Sequence, residues 1–287
     1  PTGTGTRDLA WWRLAATTHA ITPAAGKTLA LLIAVVAGLG AGLVVALVNG
    51  FGAGVGVWFS SGLCAGTMIA VTAEDWAREP PGYADIRVRQ RIAGLIRELA
   101  LNLVFWLFTL GLLIGVLAGY NSGLAAGLRA WLIVGLGFGL MSGLLFVPPD
   151  WAETPAHAGH AQTPMNNWHA DRTLSLFRFT LSGSVIGLGF GLMFWFANGP
   201  ANGLAALLAA GLVSGLSFGL GMGHHRAWLA YLVATHRLAW ARLLPRRLMP
   251  FLDDCHRLGL LRAVGPLYQF RHAELHDHLA ATYQPPA

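Results

Sequence analysis

Apolar residues run almost unbroken through six stretches of the chain, near Leu29–Val48, Ala53–Ala73, Ala100–Ala118, Ala130–Val147, Phe179–Ala197 and Leu204–Gly223. As helices rising about 1.5 Å per residue, each can cross about 30 Å of hydrocarbon. The stretches come in pairs. Within a pair the connection is short and uncharged, at Asn49–Gly52, Gly119–Gly123 and Asn198–Gly203, and Asn and Gly supply the backbone conformations of a tight turn. Between pairs the linkers are longer and charged. Each pair ends near a Trp in polar surroundings, Trp76, Trp151 and Trp228, which lie 75 and 77 residues apart. This spacing predicts a three-fold repeat of a transmembrane hairpin. The fold class implied is an all-α membrane protein of about six transmembrane helices in three Gly-rich hairpins. Residues 1–28 precede the bundle, residues 29–223 form it, and residues 224–287 follow as a small tail.

Glycine sharpens this picture. Gly111, Gly115, Gly119, Gly123 and Gly127 are four residues apart, as are Gly135, Gly139 and Gly143, then Gly183, Gly187 and Gly191, then Gly211, Gly215 and Gly219. A step of four keeps them on one helix face. In lipid, such a face lets two backbones approach closely, which replaces the missing hydrophobic drive between helices. A pore lined by small residues is the functional alternative. Against it, the spans carry almost no acid or His, and coupled transport usually needs such groups.

Composition agrees: 11% of residues are charged, 55% are hydrophobic and the mean hydropathy is +0.55, against about 25% charged in soluble domains. The net charge of +6 comes from 18 Arg and Lys27. The Arg excess suggests a GC-rich bacterial genome. Arg7, Arg13 and Lys27 precede the first span, five Arg lie between spans two and three, Arg172 and Arg178 precede span five, and eight Arg follow span six. Arg129 alone falls on the hairpin-turn side. By the positive-inside rule both termini and the long linkers are cytoplasmic, in a bacterial inner membrane. Trp76, Trp151 and Trp228 are then expected in the aromatic belt, and Arg129 at the outer interface. The apolar spans direct the basic balance to lipid rather than nucleic acid. Cys64 and Cys255 lie in unlike surroundings and predict no disulfide framework. The chain opens on Pro1 and reads as part of a longer protein.

Two linkers have a pattern of their own. In Asp85–Leu99, apolar Val88, Ile92, Leu95, Ile96 and Leu99 recur at helical spacing. This suits a helix lying on the inner leaflet or one packed on another cytoplasmic element. Pro148–Pro164, with four Pro, His157 and His160, reads as a loop.

Three motifs fall short of catalytic chemistry. Ala25-Gly26-Lys27-Thr28 resembles the end of a phosphate-binding loop, but Ile21 stands where the pattern needs Gly and no strand precedes. His272 and His276 share a helical face, but Ala273 occupies the position a zinc protease gives to its Glu base. Ser142 and Ser214 have no His or Lys deep in a span to activate them. No catalytic residue, metal ligand or cofactor is expected.

Beyond the bundle, Arg246–Leu261 reads as a helix. Strands are expected at Arg262–Val264 and Leu267–Phe270, turned by Gly265-Pro266, and a last helix from His272 to Thr282. The result is a winged-helix-like α+β unit, too small to bury a core alone. The run Arg247-Leu248-Met249-Pro250-Phe251-Leu252-Asp253-Asp254-Cys255-His256-Arg257-Leu258-Gly259-Leu260-Leu261-Arg262, followed by Tyr268-Gln269-Phe270-Arg271-His272-Ala273-Glu274-Leu275-His276-Asp277-His278-Leu279-Ala280, resembles the C-terminal end of bacterial NACHT-domain (STAND-type) NTPases. In those proteins a nucleotide-binding module precedes a Gly/Leu-rich membrane region and a tail like this one. The resemblance implies a partner NTPase module upstream of Pro1, a membrane-anchoring and signal-coupling role, and a non-catalytic chain that can form homo-oligomers. It also implies a nucleotide-sensing place for His272. A small-solute transporter or channel, and a membrane-permeabilising effector bundle, stay open as alternatives.

Overall fold

The structure, a computed structural model, describes residues 8–84, 88–155, 163–222 and 225–282. Among them are six helices long and apolar enough to cross a membrane. The chain is therefore a mostly helical, multi-pass membrane protein. It begins with β1 (Asp8–Leu9) and a short α1 (Leu14–Thr17). The spans are α2 (Pro23–Asn49), α3 (Phe51–Thr72), α4 (Val88–Trp106) continued by α5 (Leu112–Ser122), α6 (Leu124–Ala152), α7 (Pro164–Asn198) and α8 (Pro200–Ser214). Beyond them lie α9 (Ala227–Trp240), α10 (Leu248–Arg257), β4 (Leu261–Val264), β5 (Leu267–Phe270) and α11 (Ala273–Thr282).

The turns between paired helices are tighter than the sequence suggests. Each reduces to one glycine, and the three adopt nearly the same conformation: φ and ψ are 86° and 166° at Gly50, 88° and 163° at Gly123, and 89° and 173° at Gly199. This region is essentially closed to residues with a Cβ. Each glycine donates its N–H to the carbonyl four residues back (Ala46, Gly119, Trp195) and accepts at its carbonyl from the N–H four residues on (Gly54, Gly127, Gly203). Hydrogen bonding thus passes through the turn without a loop, and the four-residue glycine step carries from one helix into the next.

That seam sets the packing of the bundle. A Cβ on Gly111 would lie 2.8 Å from the Gly135 Cα, on Gly187 2.8 Å from the Leu207 carbonyl, and on Gly42 2.8 Å from the Gly54 carbonyl. α2 packs along α3, α5 along α6 and α7 along α8, and the α7–α8 pair also touches α2 on one side and α6 on the other. Two π-helical turns, Leu107–Gly111 and Gly215–Gly219, interrupt the third and sixth spans. At the first, the Trp131 indole N–H donates to the Leu107 carbonyl at 2.8 Å.

Several linker readings change. The amphipathic run before the third span does not form a separate helix. From Val88 it continues unbroken into the span, and Ile92 and Ile96 stay exposed; residues 85–87 lie outside the described residues. The Pro148–Pro164 stretch is not all loop, because α6 extends to Ala152. Next, β3 (Glu153–Pro155) pairs antiparallel with β2 (Gly82–Ala84), Tyr83 opposite Thr154. His157 and His160 lie outside the described residues. The N-terminal segment is not separate from the tail, since β1 adds to β5 and gives a sheet ordered β1-β5-β4. Both ends of the described chain therefore meet in one small unit. Its core joins Trp11, Tyr231, Leu248, Met249, Leu252, Leu261 and Tyr268, and it gains from the N-terminus the burial that the tail alone lacks.

The turn geometry makes Gly123→Ala strained by about 1–3 kcal/mol. Gly137→Ala, at an open position in α6, is expected to be neutral or mildly stabilising. Thermal unfolding in detergent compares the two, and equal midpoints would contradict the one-glycine turn.

Candidate functional site

At about 1.5 Å per residue, the 35 residues of α7 reach well past the 30 Å or so of hydrocarbon. Its first half projects beyond the bundle. Beside Pro164 and Leu174, the buried residues of that half are polar: Asn167, Asp171, Ser175 and Arg178, followed by Ser182, recur at intervals of three and four, one stripe on one side of the helix. Asp171 is fully buried, and its two oxygens serve two distant segments. Oδ1 accepts the Gly82 N–H at 2.8 Å and Oδ2 accepts the Trp228 N–H at 2.6 Å. Trp228 lies in the first turn of α9, so the carboxylate also meets the positive end of that helix. One side chain thereby ties α7 to the β2–β3 ribbon and to the helix that enters the terminal unit.

A second set of bonds closes around the same point. The Arg226 guanidinium engages Glu79 through both carboxylate oxygens, with Nε to Oε2 at 3.0 Å, and the Arg226 N–H donates to Oε2 at 2.9 Å. Arg226 Nη1 also donates to the Gly221 carbonyl at the end of the sixth span. The His225 ring donates from Nδ1 to the Pro80 carbonyl at 2.9 Å, which fixes the proton on Nδ1 because a carbonyl only accepts. Arg178 Nη1 donates to the His225 carbonyl at 3.0 Å. A Cβ on Gly82 would lie 2.5 Å from the His225 Cβ, so this glycine is needed for close approach. The linker after α3, the first half of α7, the end of the sixth span and the start of α9 meet here.

The sequence-predicted residues divide into three groups. Gly111, Gly115, Gly135, Gly139, Gly183, Gly187, Gly191, Gly211, Gly215 and Gly219 all stand where an added Cβ would come within 3.4 Å of a neighbouring helix. Gly143 meets only the Asn102 and Leu99 side chains. Trp76 is not in an exposed belt: it is 2% exposed, enclosed by Ala15, Ile69, Ala73, Leu229 and Ala230. Trp228 is half-buried between the two cores. The Trp151 side chain lies outside the described residues.

In the tail, Asp253 lies close to Tyr268 and pairs with Arg257 at 2.7 Å. Phe270 packs edge-on against His276. Phe251, Asp254, Arg271 and His272 are exposed. Ala25–Thr28 is helical rather than a phosphate-binding loop. No cluster of three or more metal-ligating side chains occurs among the described residues.

Sequence reasoning missed the junction. In the sequence Arg178 reads as one of the charges that set topology, and Asp171, Glu79 and Arg226 carry no motif. The one signal was the polar step Asn167, Asp171, Ser175, Arg178. Comparison with protein-family profiles, characterised proteins and solved structures finds no match to this chain.

Removing one partner of a buried charge set costs about 3–5 kcal/mol. Asp171→Ala should therefore lower the unfolding midpoint far more than Asp254→Ala, an exposed change worth about 0.5 kcal/mol or less. Equal effects would contradict the junction. A second expectation concerns alkaline pH. Burial pushes the Tyr268 phenol from 10.0 up to about 12, and Asp253 adds to the shift. The folded-state pKa lies above the unfolded one, so this stabilisation is complete below pH 10.0 and is lost as pH rises towards 12. A midpoint-against-pH series should fall less steeply for Tyr268→Phe than for the native chain.

Proposed function

We propose that this chain is a membrane-anchoring and signal-coupling module with no chemistry of its own. The carrying observation is the buried junction, in which Asp171 and the Glu79–Arg226 pair tie the terminal unit to the protruding half of α7. A tether alone needs only a linker. Buried charge sets, by contrast, make the position of one part depend on that of the other, because a partial separation leaves ions unpaired in a poorly solvated site. Glycine seams within the helix pairs leave little room for a solute path between paired helices. In this reading the three hairpins are one repeated device, and the winged-helix-like terminal unit is the docking face.

The tail residues that resemble NACHT-type NTPases give the proposal its specific form. The docked partner is a switch NTPase module upstream of Pro1 in the same protein. The termini face the cytoplasm of a bacterium, as the basic residues suggest. Buried Tyr268 belongs to the core of the terminal unit, and exposed Phe251, Arg271 and His272 supply contacts to that partner.

Three measurements test this. The purified chain in liposomes should release no entrapped small solute, and calorimetry should detect no ATP or GTP binding to it. Coding sequence upstream of Pro1 should specify a NACHT module. Solute release would replace the anchor with a channel or permeabilising bundle. Nucleotide binding lost in Lys27→Ala would give the chain its own chemistry, and a different upstream module would remove the NACHT form of the proposal.

A further inference from the structure

Beside the first span runs a groove of about 700 Å³ between the start of α2, the end of the sixth span and α9. Leu32, Ile33, Leu220 and Val233 line its walls, and Trp76 contributes to them. Its polar lining is confined to Thr22, Thr28, His236 and Arg237, and no acidic residue lines it. Along α2 the lining extends from Thr22 to Ile33, about 16 Å at the helical rise. That is close to one leaflet, half of the roughly 30 Å hydrocarbon layer. Leu32 is 63% exposed, so the groove opens sideways from the span, where the bilayer is.

We infer that this groove seats an acyl chain of one anionic phospholipid, with the headgroup phosphate held at Arg237. The proposal rests only on the chain spanning a membrane, not on its coupling role. An apolar groove facing lipid is filled by a lipid tail, and the tail's own headgroup must then lie near the rim. The chemistry of the rim selects charge. Arg237 donates one N–H to the Ala20 carbonyl, which holds the guanidinium beside Thr22. No carboxylate among the described residues pairs with it. Glu74 and Asp75 are near Trp76 in sequence but do not line the groove. The N-terminus of the 27-residue α2 adds its positive end at the same level. Trp240, 86% exposed at the end of α9, is a residue type suited to a headgroup layer.

Native mass spectrometry of the full chain, offered equimolar phosphatidylglycerol and phosphatidylcholine in detergent, tests the inference. The native chain should retain phosphatidylglycerol preferentially, and excess inorganic phosphate should not displace it. Arg237→Gln should reduce the preference about five-fold, the worth of roughly one charge near an anionic surface. Arg237→Lys should keep most of it, and Arg246→Gln, away from the groove, all of it. Leu32→Trp, which fills the groove, should lower retention of both lipids. Equal retention of the two lipids by the native chain, an unchanged preference in Arg237→Gln, or full retention in Leu32→Trp would overturn the assignment. Displacement by phosphate would do the same, because the site would then bind the anion without the tail.

Discussion

Helices immersed in lipid gain nothing from covering one leucine with another, because the acyl chains they leave are as apolar as the side chains they meet. Association has to come from how closely two backbones can approach. Here the approach is made by removing side chains at every fourth position along the contact, at Gly38, Gly42 and Gly54 in the first pair, Gly111, Gly115 and Gly127 in the second, and Gly183, Gly187 and Gly203 in the third. One-glycine turns keep that four-residue step in register across the pair, so the turn and the seam are one device. The large apolar side chains are left on the outside, where Leu31, Leu39, Phe59, Ile133 and Phe196 are exposed. This is the inverse of a soluble core.

A bundle built this way has little to hold it to anything outside the membrane. That task falls to polar contacts just beyond the apolar zone, where buried ions can be satisfied by backbone groups. Asp171 accepts from Gly82 and Trp228, and Glu79 accepts from Arg226. The partners come from two places, Glu79 and Gly82 from the linker after α3 and Arg226 and Trp228 from the start of α9. The terminal unit depends on the same contacts, since α9 enters it from the point where the Asp171 carboxylate meets its first turn. The N-terminal strand closes the unit by pairing Asp8 with Gln269 and Leu9 with Tyr268. A disturbance of the terminal unit thus has a short physical route into α7.

Much of the bundle could be read from the chain because lipid imposes period and length together. Apolar runs gave six spans, and the step of four marked the contact faces. The reading stopped where partners are remote. Gly82 and Trp228 lie 89 and 57 residues from Asp171, and no local pattern links them. A basic residue before a span looks the same whether it meets headgroups or, like Arg178, a carbonyl inside the protein. Trp76 misled for a related reason: its polar sequence neighbours, Glu74, Asp75 and Arg78, imply an interface, but the small residues Ala15, Ala73 and Ala230 make a site that encloses it. The tail strands were legible from the Gly265-Pro266 turn, whereas the third strand comes from the far end of the chain.

The central claim is that the terminal unit and the protruding half of α7 open as one body through Asp171. Hydrogen exchange of the β4–β5 amides and of residues 164–178, in the native chain and in Asp171→Ala, measures this most directly. The account predicts a common opening free energy for the two segments in the native chain, and separate, lower values in the variant. Independent exchange of the two segments in the native chain, or an unchanged pattern in Asp171→Ala, would contradict it.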